Sequence, residues 1–415
     1  MKKKSINKLA ILGGYPVRVK PFKIWPSASA VGKKYLQEVV ESNGWGIFRG
    51  SKIREFGEKF AKYHGARYGI PCANATIALE IQLKALGVKP GDEIITTAYT
   101  CIPTITGILN IDAIPIFVDI NENDYCMNPA LLESKITSKT KAIIPVHLYG
   151  SIADLDAIAR IARKHRLHLI EDAAQVPGSF WKDKGVGTIG VSGSFSFQEA
   201  KMMSSGEGGI IITNNRELSE IMNAYINCGR VQKTDRTRRR VLGGNCRMTE
   251  FQAALLLAQL ESLKKKTQHN MVNARRLTKG LRKIPGIKTV ESNSSITSQA
   301  YYLYAFRFIE KQIGITREHF IKALNAEGIP TRSTYTPIYR DALFNINKYD
   351  SPKAWKYYQQ NKLKAIDFPV TERVSSEIVA LWHPLLSGDK TDIDDIVEAI
   401  RKVIVNKSFL KGNPS

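Results

Sequence analysis

Three short segments of the sequence carry polar residues at places where chemistry is expected. Each contains or follows an apolar run that predicts a β-strand: PCANATIALEIQL (71–83), HLIEDAAQ (168–175) and SFSFQEAKMMSSGEGG (194–209). The last segment holds one lysine, Lys201, between an aromatic strand and a glycine-rich turn. Because ligands of open parallel sheets bind beyond the carboxyl ends of the strands, we expect the three segments to meet at one site.

The residue types in these segments match what pyridoxal phosphate requires. Lys201 can form a Schiff base and, once an amine substrate displaces it, carry a proton between Cα and the cofactor. Asp172 can keep the pyridinium nitrogen protonated. The amides of Ala75 and Thr76, at the start of a predicted helix, and the hydroxyls of Thr76 and Ser196 suit a phosphate dianion. Each residue alone could be a helix cap or a surface residue, so the combination carries the interpretation.

The elements that must position these residues alternate between short apolar runs and amphipathic segments from about residue 50 to 230. This order is typical of an α/β fold with a parallel sheet flanked by helices. Strands are predicted at 68–72, 93–97, 116–118, 142–146, 168–171, 193–197 and 210–213. A helix is expected to begin after Ser51, the predicted N-cap, with apolar residues at helical spacing.

A smaller α/β domain is predicted after a long helix. The segment 248–266 starts with Thr249 as a cap and ends in cations that suit a helix C-terminus. A strand at 301–308, a helix near 317–327 and a last helix near 392–405 follow it. We therefore expect a large cofactor-binding domain with the N-terminal segment at 1–247, and a linker helix with a small domain at 248–415.

Composition narrows the class of protein further. Five cysteines without a CxxC pair predict neither a disulfide framework nor a zinc site, and no metal site is expected. The basic start lacks a secretory cleavage site, and no apolar run approaches the roughly 20 residues of a membrane helix. A cytoplasmic location without membrane contact is the expectation.

The excess of basic residues suggests an alternative outside the enzymes. Lys and Arg number 61 against 38 Asp and Glu, a formal net charge of +23 that would attract nucleic acid or anionic small molecules. The charge is spread widely, with clusters only at 2–4, 233–240 and 264–266. A basic nucleic-acid-binding protein is therefore the less favoured hypothesis.

Three ordered blocks resemble the DegT/StrS sugar aminotransferases, which belong to the fold-type I class of pyridoxal phosphate enzymes. The blocks are IEDAAQ (170–175), SFSFQEAKMMSSGEGG (194–209) and GGNCRMTEFQAALLLAQL (243–260), and the resemblance covers most of the chain. It implies a large domain with a mostly parallel sheet flanked by helices, a smaller C-terminal α/β domain, pyridoxal 5′-phosphate as cofactor, and a homodimer with shared active sites.

The resemblance also implies a role for each matching residue. Lys201 matches the Schiff-base lysine, Asp172 the partner of the ring nitrogen, and Gln175 the residue beside the cofactor's face and hydroxyl. Asn245 matches an asparagine that reaches the phosphate from the neighbouring subunit. The positions that bind phosphate in the family fall on Asn74, Ala75, Thr76 and Ser196.

Two positions depart from the family pattern. Ala75 stands where relatives usually have glycine, which matters only if that backbone has a positive φ. Cys101, in TTAYTCIPT (96–104), stands where an aromatic ring commonly stacks on the cofactor, and Tyr99 is a nearby ring that could replace it. A sulfur at Cys101 is compatible with packing on the cofactor. The presence of Lys201, where dehydratase relatives have histidine, favours amino transfer.

The substrate is indicated by fewer residues. Gln198 stands where many enzymes of nucleotide-linked sugars have histidine, and it resembles the branch that aminates keto-cyclitols with glutamine, as well as aminohydroxybenzoate synthases. The basic segment 229–247 is expected to border the active-site mouth across the dimer, with Arg230 and Arg247 pointing inward. Tyr335, in TYTPIYRDALF (334–344), lies in a stretch that resembles the substrate lid.

These observations predict an aminotransferase that moves an amino group from L-glutamine or L-glutamate to the ketone of a sugar or cyclitol. Such a reaction serves amino-sugar, surface-polysaccharide or antibiotic synthesis. The alternative within the enzymes is a dehydratase that aromatises its ring substrate, like the aminohydroxybenzoate synthases.

Overall fold

A seven-stranded sheet, in the order β1-β9-β8-β5-β4-β2-β3, lies at the centre of the computed structural model. The structure describes residues 8–230, 239–291, 293–342, 349–362 and 367–410. All neighbouring strands are parallel except at β9, which runs antiparallel to β1 and β8. The strands are β1 (Tyr68–Cys72), β2 (Glu93–Thr97), β3 (Ile114–Val118), β4 (Thr140–Ile143), β5 (His168–Asp172), β8 (Ser192–Ser196) and β9 (Gly209–Thr213).

Helices cover both faces of this sheet, so the predicted fold class is confirmed. Every residue of β2, β3, β8 and β9 is buried, as expected for strands with helices on either side. The helices of this part are α1 (Ala30–Ser42), α2 (Lys52–His64), α3 (Ala75–Ala85), α4 (Ile102–Leu109), α5 (Leu155–Lys164) and α6 (Arg216–Ile226). Strand β4 ends at Ile143, before the predicted end at 146, because Pro145 has no amide hydrogen for the sheet.

The start of α2 differs from the sequence prediction in its cap. Ser51 precedes the helix, but its side chain makes no capping hydrogen bond. The buried carboxylate of Glu250 accepts hydrogen bonds from the amides of Lys52 (2.6 Å) and Ile53 (3.1 Å) instead. A cap from a residue so distant in sequence gives no local signal.

A second sheet, β10-β12-β14-β13, is antiparallel and lies in the C-terminal part of the chain. A short sheet β11-β6-β7 joins the two parts. The remaining strands are β6 (Phe180–Trp181), β7 (Lys184–Gly185), β10 (Ile287–Thr289), β11 (Ile296–Ser298), β12 (Leu303–Phe308), β13 (Thr331–Arg332) and β14 (Ile378–Trp382). The remaining helices are α7 (Glu250–Leu281), α8 (Glu310–Ile313), α9 (Arg317–Ala326), α10 (Pro352–Gln360), α11 (Pro369–Glu377) and α12 (Lys390–Val405).

Helix α7 connects the two parts and is longer than the predicted 248–266. It begins with a capping box of Thr249 and Gln252 and continues to Leu281, because Ala274 and Leu277 extend its buried face into the C-terminal core. None of the helices in the described ranges is long and apolar enough to cross a membrane.

The N-terminal segment packs on the C-terminal part of the chain. Leu9 is buried in the C-terminal core, and the Arg18 guanidinium lies 2.7 Å from the Asp392 carboxylate. The predicted division into 1–247 and 248–415 stays a prediction, and these contacts favour placing the first residues with the smaller part.

Candidate active site

Lys201 lies in the loop between β8 and β9 and is largely buried, with 9% of its surface exposed. Its Nζ lies 4.1 Å from the centre of the Tyr302 ring. Burial lowers the pKa of Lys201, while the negative charge of Asp172 opposes this shift. A lysine with a lowered pKa reaches its neutral, nucleophilic form more readily than a surface lysine does.

Asp172 is the last residue of β5, so it faces the region beyond the carboxyl ends of the parallel strands. Its carboxylate accepts hydrogen bonds from Thr104 Oγ1 (2.8 Å) and from the amide of Ala174 (3.2 Å). Burial raises its pKa, while these two hydrogen bonds and the nearby Lys201 ammonium favour the charged form. The arrangement provides a buried acceptor for a positively charged N–H group.

These two residues line one cavity of about 480 Å³. Ten residues predicted to contact cofactor or substrate line it: Asn74, Ala75, Thr76, Cys101, Asp172, Gln175, Ser196, Gln198, Lys201 and Tyr335. The carboxyl ends of the parallel strands lie at one edge of the sheet, so residues from five separate segments of the chain meet in this cavity.

The start of α3 forms one end of this cavity. Asn74 is its N-cap and accepts a hydrogen bond from the amide of Ile77 (2.9 Å). The amides of Ala75 and Thr76 lie in the first turn, where a helix offers no internal acceptor, so they suit an anion. Ala75 is not among the residues with positive φ, so its departure from glycine has no backbone cost.

Gly209, at the start of β9, allows the helix start to approach the sheet closely. A Cβ at this position would lie 2.4 Å from the carbonyl carbon of Asn74 and 2.8 Å from the amide nitrogen of Ala75. A larger residue would therefore displace the end of the cavity that the first turn of α3 forms.

Gln175 and Tyr335 form another wall of the cavity. Gln175 accepts a hydrogen bond from the amide of Tyr149 (2.8 Å) and donates one to the Tyr335 hydroxyl (3.4 Å). The Tyr335 ring stacks on that of Tyr149, with centres 5.8 Å apart. The Cys101 thiol also lines the cavity, and the Cys101 and Tyr335 groups affect each other's pKa.

Tyr99 does not replace the aromatic ring that relatives place at position 101. It is fully buried behind the cavity, and its hydroxyl pairs with Tyr149 (2.9 Å) and Thr334 (3.1 Å). Cys101 itself lines the cavity, and burial raises the pKa of its thiol. At this wall of the cavity, a ligand would therefore contact the Cys101 thiol in its neutral form.

Gln198 accepts hydrogen bonds from the loop that carries Lys201. Its side-chain oxygen accepts a hydrogen bond from the amide of Ala200 (2.9 Å), and its carbonyl accepts one from the amide of Lys201 (2.9 Å). Ser196 Oγ in turn accepts from the amide of Gln198 at 3.4 Å. The amide nitrogen of the Gln198 side chain donates to no residue in the described ranges and is available to a ligand.

Three predicted residues lie outside the cavity of their own chain. Arg230 and Arg247 pack against Phe48, at 5.3 and 5.8 Å from its ring centre. Asn245 is exposed and pairs with Asn227 in a β-bridge. Their contribution to a site therefore stays a prediction that requires a second chain. Residues 233–238 of the basic cluster and 343–344 of the predicted lid lie outside the described residues.

Four polar residues that line the cavity escaped the sequence analysis: Thr100, Thr104, Glu207 and Tyr302. Thr104 follows β2, and the rule that located Asp172 could have found it. Tyr302 immediately precedes β12 of the second sheet, where no local pattern points to the cavity. Arg332, in β13, lies close to Tyr302, and its positive charge opposes the rise that burial causes in the pKa of the Tyr302 hydroxyl.

The amino-acid sequence of the chain was compared with those of known protein families. The profile of the DegT/DnrJ/EryC1/StrS aminotransferase family matches residues 28–401. The chain belongs to this family. It is therefore an aminotransferase, and the family implies pyridoxal phosphate as the cofactor.

Several relatives of this aminotransferase family resemble the whole chain. A Streptoalloteichus tenebrarius protein, provisionally named an L-glutamine:3-amino-2,3-dideoxy-scyllo-inosose aminotransferase, is 40% identical, covering 98% of this chain and 100% of its own. The L-glutamine:2-deoxy-scyllo-inosose aminotransferase of Micromonospora echinospora is 34% identical, covering 97% and 99%. The crystal structure of 3-amino-5-hydroxybenzoic acid synthase superposes with a TM-score of 0.85 and 28% identity, covering 94% of this chain and 100% of that one.

Proposed function

We propose that this chain uses pyridoxal phosphate held at Lys201 to move an amino group from L-glutamine or L-glutamate to the ketone of a cyclitol or sugar. The observation that carries the proposal is the shared cavity of Lys201 and Asp172, both buried, with the first turn of α3 at its end. An amine, a carboxylate and an anion site in one cavity suit the aldehyde, ring nitrogen and phosphate of this cofactor.

When bound, the cofactor supplies an electron sink for the pair of electrons left at the substrate Cα. Asp172, buried and held by Thr104 and Ala174, keeps the ring nitrogen protonated. Lys201, whose pKa burial lowers, takes the proton from Cα as a free amine and returns it during transfer. Ser196 and Thr76 hydroxyls, with the amides of α3, bind the phosphate.

The choice of glutamine and a cyclitol is supported by the names of the relatives, which act on scyllo-inosose derivatives with L-glutamine. Arg332 is exposed and lies close enough to Tyr302, the ring beside Lys201, for its charge to affect the Tyr302 pKa, so it offers a cation for the donor's α-carboxylate. We propose that Arg332 binds this group and that Gln198 contributes its amide nitrogen to a ring hydroxyl of the acceptor.

We also propose that the enzyme works as a homodimer. Large apolar side chains are exposed near Asn245: Leu242 (98%), Trp45 (53%) and Phe48 (47%). A partner subunit covering this surface would bring Asn245 toward the phosphate of the opposite site. The five cysteines all have free thiols, and this supports the proposal that the enzyme is located in the reducing cytoplasm.

The test is the fate of the donor nitrogen. Purified protein is incubated with pyridoxal phosphate, an inosose-type ketone and L-glutamine labelled with ¹⁵N at the α-amino group. The label should appear in an aminocyclitol, and glutamine labelled at the amide should transfer none. Lys201→Ala should abolish transfer, whereas Lys322→Ala, on the exposed face of α9, should not. Labelled amine formed by Lys201→Ala at the wild-type rate would refute the proposal.

A second candidate is aromatisation of a ring substrate, favoured by the superposition on 3-amino-5-hydroxybenzoic acid synthase. It would use the same lysine, release water and give an aromatic product. Incubation with an aminodehydroshikimate-type ring, followed by ultraviolet absorption, separates the two functions. Aromatic absorption with no ¹⁵N transfer to any ketone would favour this second reaction.

A further inference from the structure

The loop that carries Lys201 has no regular secondary structure between the end of β8 and the start of β9. Its buried backbone groups therefore need hydrogen-bond partners from elsewhere. Residues 200–203 are largely or partly buried, so water is a poor substitute for those partners. The hydrogen-bond partners of this loop backbone therefore help to determine the position of the Lys201 amine.

Three successive carbonyls of this loop accept hydrogen bonds from three side chains. The Ala200 carbonyl accepts from the Trp382 indole N–H (2.8 Å), and the Lys201 carbonyl accepts from the Trp25 indole N–H (2.9 Å). The Met202 carbonyl accepts from the Lys266 ammonium (2.8 Å). The donors come from β14, from the N-terminal segment and from α7.

The donors also contact one another. The Lys266 ammonium lies 3.6 Å from the centre of the Trp25 ring, a cation–π contact. The buried ring of His383 packs edge-on against Trp25 (5.2 Å) and against Trp382 (5.4 Å). These contacts fix the directions of both indole N–H groups, so the donors act as one unit, here called the carbonyl clamp (Trp25, Lys266, Trp382).

We propose that the carbonyl clamp positions Lys201 for its reaction with the cofactor. The clamp holds the backbone on one side of the loop, while the Tyr302 ring holds the amine on the cavity side. An indole has a single N–H donor, so each tryptophan defines one direction for one carbonyl. The three residues line no part of the cavity around Asp172 and touch no cofactor position, so they are positioning residues.

This inference rests on the proposed role of Lys201. A small misplacement of a reacting group costs rate, on the order of tenfold or more. Trp25→Phe removes the N–H donor and keeps most of the ring, and Trp25 is only partly buried. We therefore expect the Trp25→Phe chain to fold and its Lys201 to react more slowly.

The experiment measures how fast cofactor-free protein captures pyridoxal phosphate at Lys201, from the growth of the visible band of the lysine-bound cofactor. Capture should slow on the order of tenfold in Trp25→Phe and in Lys266→Met. Lys266→Arg, which keeps a cationic donor, should recover most of the rate. In steady state, kcat should fall while KM for glutamine stays within about twofold.

Trp181→Phe is the matched control, because Trp181 is buried and its indole N–H is paired with no carbonyl of the loop. This control tests whether a buried Trp→Phe substitution slows cofactor capture merely by lowering the stability of the protein. We expect its capture rate to equal that of wild type. Wild-type capture rates in folded Trp25→Phe and Lys266→Met would overturn the clamp. Failure of the wild-type protein to bind cofactor at Lys201 would instead overturn the proposed function.

Discussion

The hydrogen bond from Thr104 to Asp172 gives a sharp prediction about the acid in this site. Thr104 is buried, and its hydroxyl lies 2.8 Å from the Asp172 carboxylate and 3.0 Å from the Thr100 hydroxyl. Thr104→Val keeps the shape of the side chain and removes the donor. Among the described residues, the Asp172 carboxylate then accepts a hydrogen bond only from the Ala174 amide, at 3.2 Å.

The loss of unfolding free energy in Thr104→Val depends on the charge of the Asp172 carboxylate, which accepts the hydrogen bond. A hydrogen bond to a charged group contributes about 1.5 to 3 kcal/mol, and removing it raises the pKa of Asp172 further. The unfolding entropy of 415 residues is about 0.9 kcal/mol per kelvin, so this loss lowers the unfolding temperature by about 2 to 3 °C. The bond favours the carboxylate over the carboxyl form, so its contribution is present above the pKa of Asp172 and shrinks as pH falls through it.

Scanning calorimetry of the cofactor-free protein over a pH series that runs from pH 8 down through the titration of Asp172 measures this effect. The difference between wild type and Thr104→Val should be largest at pH 8 and should shrink as the pH falls through the pKa of Asp172. Thr278→Val is the matched control, because Thr278 bonds the neutral Ala274 carbonyl (2.8 Å), and its effect should not vary over this range. Equal losses for Thr104→Val at every pH would refute the assignment of Asp172 as the buried, titrating acid.

Three further predictions concern other parts of the chain. Burial lowers the pKa of Lys266 to about 7, so between pH 7 and its ordinary 10.5 the folded protein binds fewer protons than the unfolded chain. The unfolding temperature of wild type should therefore rise relative to that of Lys266→Met across this window, and a constant difference would contradict the shift. Arg332→Ala should raise KM for glutamine on the order of tenfold with a smaller change in kcat, and an unchanged KM would remove Arg332 from donor binding. Glu250→Gln should lower the unfolding temperature by about 1 to 2 °C, because the start of α2 loses a charged acceptor, and should leave cofactor capture at Lys201 unchanged.

The parallel sheet and most of the cavity could be predicted because their signals are local. Each apolar run marks a strand, and the polar residue that follows it marks the end where ligands bind, as at Asp172 and Asn74. Lys201 was found in the same way, after β8. These residues need only their own segment and the rule of parallel strands to be placed.

The rest of the site depends on contacts between distant segments. Trp25 contacts Lys201 across 176 residues of sequence, and Tyr302 comes from the residue before β12, in a different part of the chain. No periodicity or spacing records such pairings. The same limit explains why the sequence predicts Ser51 as the cap of α2, whereas the carboxylate of Glu250 accepts the hydrogen bonds of its first amides.

The most direct test of the account is the visible absorption spectrum of the purified protein with pyridoxal phosphate, recorded before and after addition of L-glutamine. Wild type should show a long-wavelength band that L-glutamine abolishes as one equivalent of the keto acid forms, and Lys201→Ala should show no such band. A wild-type band that neither L-glutamine nor L-glutamate changes would contradict amino transfer from these donors. The same band in Lys201→Ala would contradict the role of Lys201.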